Sequence, residues 1–182
     1  MGRMKRFAFL ALLAAACATP HNQGEVTKNR ADYRTHPEYD DFRPIAIAVM
    51  PVKTTVFATQ MDTRADLYEG LFKRKYSPFK LDVVDAHTDS KGKFEGHDLA
   101  WDATLEVRIT RLRPGRAANT HDCDAEAALR YRTGEELWTC KLSDYVVAVP
   151  FTNGELDFRP ACREIAEAFL SRLPPRPPVA KG

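Results

Sequence analysis

His121-Asp122-Cys123-Asp124 is the densest run of potential metal ligands in a chain of 182 residues that has five histidines and four cysteines. A thiolate and an imidazole suit softer cations and carboxylates suit hard ones, so the run could offer a mixed donor set, joined by His87 or His97. On an extended strand, alternate residues share a face, which pairs His121 with Cys123. Two ligands close no site, and a buried cysteine at a loop-to-strand junction is the commoner outcome, so no metal site is assigned. Cys123 or Cys140 beside a histidine would make the nucleophile of a covalent mechanism. Nothing in the sequence supplies its oxyanion hole or a third, orienting group. Asp82, Asp85 and Asp89 could cluster, but carboxylates at strand ends are usually solvated. The chain has no Gly-x-Ser-x-Gly elbow, Walker loop, His-Glu-x-x-His or Cys-x-x-Cys. The expectation is a non-enzyme without a cofactor, the alternative being a metal or small-ligand binding module centred on His121 and Cys123.

Cys17 has a different setting. Arg3, Lys5 and Arg6 precede the apolar run from Phe7 to Ala16, which is long enough for a signal peptide and too short to span a bilayer. Ala15-Ala16-Cys17 fits the bacterial lipobox, with Ala14 where Leu, Val or Ile is usual. Ala14-Ala15-Ala16 is also an A-x-A cleavage site that would release a soluble protein beginning with a free thiol. The lipidated reading is preferred, because an exposed N-terminal thiol is a chemical liability. Acyl chains such as palmitate contribute about 0.8 kcal/mol per buried methylene, and several together anchor permanently. Ala18 after the cysteine resembles the enteric pattern for delivery to the outer membrane, facing the periplasm.

Residues 1–16 carry three bases and no acid, so their removal takes the formal charge from +2 to −1. A near-neutral chain without a Lys/Arg block has no footprint for nucleic acid. About 165 residues remain, enough for one domain with a real core. Composition divides the chain into signal peptide (1–16), lipidated cysteine with a polar, proline-broken tether (17–43), one domain (44–173) and a Pro-rich tail (174–182).

Within the domain, residues 45–52 read as a central strand buried on both faces. Asp62 or Thr63 can cap a helix with Met61, Ala65, Tyr68 and Phe72 at helical spacing beside Leu67 and Leu71, ended by Ser77-Pro78. Residues 79–85 give a second strand and 86–101 a loop. Residues 103–111 alternate strictly. Residues 123–132 and 136–144 alternate about Thr133-Gly134, a hairpin signal. Pro160 opens a helix whose apolar face is 162, 165, 166, 169, 170 and 173. The fold class is mixed α/β, with a mixed sheet of about five strands in the order β-α-β, loop, β-β-β-α and helices packed on it.

Three further cysteines would lie in a compartment that permits disulfides. The hairpin register puts Cys140 opposite Ala127 and Cys123 opposite Asp144, about 13 Å apart along the ladder and beyond bonding reach. Cys162 opens the last helix at the sheet end where Cys123 sits, so Cys123–Cys162 is the expected pair and Cys140 a buried thiol. Cys140–Cys162 and three buried thiols stay open.

Arg43-Pro44-Ile-Ala-Ile-Ala-Val-Met-Pro51, Asp102-Ala-Thr-Leu-Glu-Val-Arg-Ile-Thr110 and the turn Gly134-Glu-Glu-Leu-Trp138, behind a lipid-type signal, resemble a family of small bacterial lipoproteins. The family is typified by a neisserial vaccine-candidate antigen and is similar to the N-terminal domain of TolB and the periplasmic domain of the curli secretion lipoprotein. The family's helix between its second and third strands is reduced here to the 86–101 loop. The resemblance implies an envelope lipoprotein that works by protein contact in assembly, secretion or maintenance, with an unnamed envelope partner and self-association open. A secretion-pore subunit of the curli type is the alternative, although no spare pair of long amphipathic hairpins is left for a barrel. Intact-mass analysis of membrane-fraction protein should show acylated Cys17 at the mature N-terminus, and Cys17→Ser should release the domain from the membrane.

Overall fold

The computed structural model describes residues 29–54, 61–80, 87–88, 94–95 and 101–178. In chain order the elements are β1 (Arg30–Thr35), α1 (Tyr39–Phe42), β2 (Ala46–Val49), β3 (Lys53–Thr54), α2 (Arg64–Lys73), β4 (Ser77–Lys80), β5 (His87–Thr88), β6 (Phe94–Glu95), β7 (Ala103–Pro114), β8 (Thr120–Tyr131), β9 (Glu136–Ala148), β10 (Phe151–Thr152), β11 (Glu155–Leu156) and α3 (Arg159–Leu170).

The alternation over 103–109 is realised as written: Ala103, Leu105, Val107 and Ile109 are buried, and Thr104, Glu106 and Arg108 are not. It continues across the hairpin, where Leu129 faces Trp138 and Ala127 faces Cys140, the register expected from a turn at Thr133-Gly134. One mixed sheet results, in the order β1-β9-β8-β7-β2-β4 with β3 also on β7. β7, β8, β9 and β1 are antiparallel neighbours, and β2 runs parallel to both β7 and β4. β2 is closed in at its start by Asp102, whose carboxylate accepts the backbone N–H groups of Ile45 and Ala46 at 2.9 Å each. Such charge-assisted bonds are about twice as strong as neutral ones and tie the first parallel strand to the meander.

α2 and α3 pack on the same face of the sheet. The expected apolar side of α3 is buried as a unit at 162, 165, 166, 169, 170 and 173. Below it lie Leu105, Ile109, Leu129, Trp138 and Leu142, each contributing about 2 kcal/mol through burial. The Trp138 indole N–H is satisfied by the Arg172 carbonyl at 2.9 Å.

Several expectations are corrected. Residues 30–42 are not tether: β1 pairs with β9 through six residues and α1 follows, so the sheet has seven strands where about five were expected. The signal was missing because Arg30–Thr35 is an edge strand with five of its six residues exposed. Of the proposed stripe, Met61, just before α2, and Leu67 and Leu71 within it face the core; Ala65 is exposed, and Tyr68 and Phe72 are 38% and 67% exposed. The second strand begins earlier, at Ser77, and residues 81–86 lie outside the described residues. The 86–101 loop contains the short β5–β6 pair. Cys123 faces Tyr145 rather than Asp144, because the ladder shifts by a residue between Cys123 and Ala125.

The Pro-rich tail is docked against the domain as far as Pro178. The Arg176 guanidinium donates to the Lys75 carbonyl at 2.8 Å, Arg74 donates to the Leu173 carbonyl at 3.0 Å, and Pro177 is buried. Tyr76 donates its hydroxyl proton to the Pro174 carbonyl at 3.0 Å, so at the 2.9 Å contact between the two phenols Tyr39 is the donor.

Gly70 lets the helices approach: a Cβ there would lie 2.1 Å from Leu170 Cδ1. Gly70→Val should cost about 2 kcal/mol in chemical denaturation, and Leu170→Ala in the same chain should recover part of that loss.

Candidate functional site

Strand alternation divides His121-Asp122-Cys123-Asp124 between two surfaces. His121 and Cys123 point beneath α3, where Cys123 is fully buried and the His121 ring meets Phe158 edge-on at 6.2 Å with its Nδ1 unpartnered. Asp122 and Asp124 point to the other face and pair with Arg113 at 3.4 Å and Arg111 at 2.7 Å. Among the described residues no group of three or more His, Cys, Asp or Glu is gathered closely enough for a metal. The side chains of His87, His97, Asp82, Asp85, Asp89 and Cys17 lie outside the described residues.

Cys123, Cys140 and Cys162 are buried and not disulfide-bonded, so the expected Cys123–Cys162 disulfide is not formed here. The two are neighbours nonetheless, close enough for Cys162 to add to the upward shift of the Cys123 thiol. Burial is the main cause, pushing Cys123 up to about 12 and Cys140 and Cys162 to about 11. All three are thiols at neutral pH, which suits packing and disfavours both nucleophilic attack and metal ligation.

The other face of the sheet carries the chemistry. No described helix covers it, and its strands leave a shallow groove of about 480 Å³ floored by Ala128 and Thr139. Arg34, Lys53, Arg108, Arg130 and Lys141 line it together with Asp32, Glu106, Glu126 and Glu136. The acids are largely committed: Lys53 holds Glu106 at 3.1 Å, Lys141 holds Glu126 at 3.5 Å, and Arg130 holds Glu136 at 3.4 Å. Arg34 and Arg108 make no ion pair among the described residues. They stand on β1 and β7, three strand spacings or about 15 Å apart. At the upper rim, Arg111 bridges Asp124 and Asp144, and Asp124 also accepts the Asp144 backbone N–H at 2.8 Å. Arg108 was visible in the sequence as the polar half of an alternating strand. Arg34 was not, because its strand read as tether.

The chain matches no protein-family model and no curated protein. Its fold is similar to that of the PelC dodecamer from Paraburkholderia phytofirmans, at a TM-score of 0.51 and 9% identity over 79% of this chain and 93% of that one. Lipoprotein GNA1162 from Neisseria meningitidis is similar at 0.40 and 17%, over 71% of this chain and 97% of that one. The hypothetical protein CT253 from Chlamydia trachomatis is similar at 0.35 and 11%, over 62% and 77%. At these identities the likeness is one of fold. Among the described residues no helix is long and apolar enough to cross a membrane.

A thiol whose folded pKa is raised stabilises the fold fully below its ordinary value and loses that contribution as pH rises through the folded value. Stability should therefore fall from about pH 9 toward 11–12, less steeply in Cys123→Ala. At neutral pH a thiol reagent should find none of the three in native protein and all three in denaturant; one alone would restore the Cys123–Cys162 pairing.

Proposed function

We propose that this chain is a lipid-anchored protein of the bacterial envelope that works by contact, in envelope assembly, secretion or maintenance, and that its partner binds the open face of the sheet. The carrying observation is the pair Arg34 and Arg108, exposed on a groove that no described helix covers and whose other charges are mostly neutralised locally. A guanidinium without a carboxylate offers a planar fork of donors to an acidic side chain of another protein. Anchoring through Cys17 would hold that face near the membrane, with the outer membrane as the proposed site. The fold shared with a dodecamer supports a second proposal, that copies of this chain associate.

Arg34→Glu with Arg108→Glu should leave thermal unfolding within about 0.5 kcal/mol of wild type, since both side chains are exposed. Quantitative mass spectrometry of detergent-solubilised envelope should find a protein retained by the lipidated wild type and lost about tenfold by the double variant, the loss expected for removing about 1.4 kcal/mol of contact. Equal retention by both would exclude this face as the contact.

A further inference from the structure

The chain enters the described domain at a defined pole. Asn29 Oδ1 accepts the Val146 backbone N–H at 3.0 Å immediately before β1, so the segment from Cys17 arrives beside the last turns of β9. β9 ends two residues later and leads into β10–β11, whose six residues 151–156 are all exposed. The hairpin is closed by the Asp157 N–H on the Pro150 carbonyl at 2.8 Å. Its turn is Asn153-Gly154, both at positive φ (53° and 88°), as a two-residue hairpin turn requires. Phe151 and Leu156 are cross-strand partners in it, and they are 65% and 42% exposed. Two large apolar side chains are thus held side by side in water at the base of an ordered hairpin, where no other described residue covers them.

We propose that this hairpin is a membrane-interface wedge: Phe151 and Leu156 enter the headgroup region of the phospholipid leaflet that holds the anchor. The proposal rests on the reading of Cys17 as lipidated. The eleven residues between Cys17 and Asn29 reach at most about 40 Å, and they join the domain at the pole that presents the hairpin. An interfacial element of this kind buries its apolar side about 5–10 Å deep. Charge adds little here. Arg113 and Arg116 are exposed at the same pole, but Arg159 is paired with Asp157 at 2.7 Å and Glu155 is exposed on the hairpin. The attachment is therefore mainly apolar and insensitive to salt.

Full-length lipidated protein carrying Phe151→Trp, reconstituted in vesicles of phosphatidylethanolamine and phosphatidylglycerol, tests this by fluorescence quenching from brominated acyl chains. Phe72→Trp is the control, because Phe72 is as exposed as Phe151 but lies at the far end of α2. The expected result is quenching at least about twofold stronger at position 151, unchanged in high salt, with both variants floating with the vesicles. Protein that floats but shows equal quenching at the two positions overturns the wedge and leaves the anchor standing. Protein that does not float, with unmodified Cys17, overturns both. Emission from Phe151→Trp that is blue-shifted yet indifferent to bromine places a second copy of the chain on the hairpin and overturns the wedge.

Discussion

A sheet has two faces, and the described helices cover one of them. α2 and α3 both lie over the side that carries Leu105, Leu129 and Trp138, and the rest of the molecule follows from that division. The covered face holds the fold together, because each fully buried aliphatic side chain contributes about 2 kcal/mol. The uncovered face contributes little to stability, since exposed ion pairs such as Lys53–Glu106 and Lys141–Glu126 are worth at most about 1 kcal/mol each. What those pairs do is fix the charge pattern of the groove and leave Arg34 and Arg108 as its available donors. Cys123 and Cys140 belong to the first face by the same strand parity that gives Arg34 and Arg108 to the second.

The sheet is less regular at its upper end. Register shifts occur between Ile109 and Arg111 on β7 and between Cys123 and Ala125 on β8, and Asp144 on β9 sits at a φ of 48°. Bulges of this kind bend a strand and re-aim its side chains. Here they bring Asp124 and Asp144 together, a repulsive pairing that Arg111 relieves by bridging both. The lower end has a register shift of its own, between Leu129 and Arg130 beside the turn, and is stitched by Asp102, Trp138 and the docked tail.

How much was legible in the sequence followed from how strongly each element is buried on one side. β7, β8 and β9 alternate because one face is dry and the other wet, and the turn at Gly134 set the β8–β9 pairing from Leu129–Trp138 to Ala125–Leu142. The face of α3 was equally plain, since its one side meets the sheet along its whole length. β1 left no trace because an edge strand with Arg30, Asp32 and Arg34 outward and only Ala31 toward the core has no period to read. α2 was placed correctly but turned wrongly: Tyr68 and Phe72 look like core by type, and the contact that orients the helix is made by Gly70, which hydrophobicity does not mark. The slip at Cys123 was invisible because a bulge adds one residue without changing composition. For the candidate site this meant that Arg108 could be foreseen as solvent-facing, whereas the groove needed β1, and so Arg34, to exist.

The docked tail gives the molecule a direction. The first described residue, Asn29, is held at the Val146 end of β9, and the last described stretch, Pro174–Pro178, is held against Lys75 and Tyr76 at the opposite end of the strands. Entry and exit of the chain therefore mark two poles, with the length of the sheet between them. Anything appended after the tail, whether a reporter or an affinity handle, would be carried at the pole away from the tether, and the long axis of the sheet becomes a spacer of fixed length between the two.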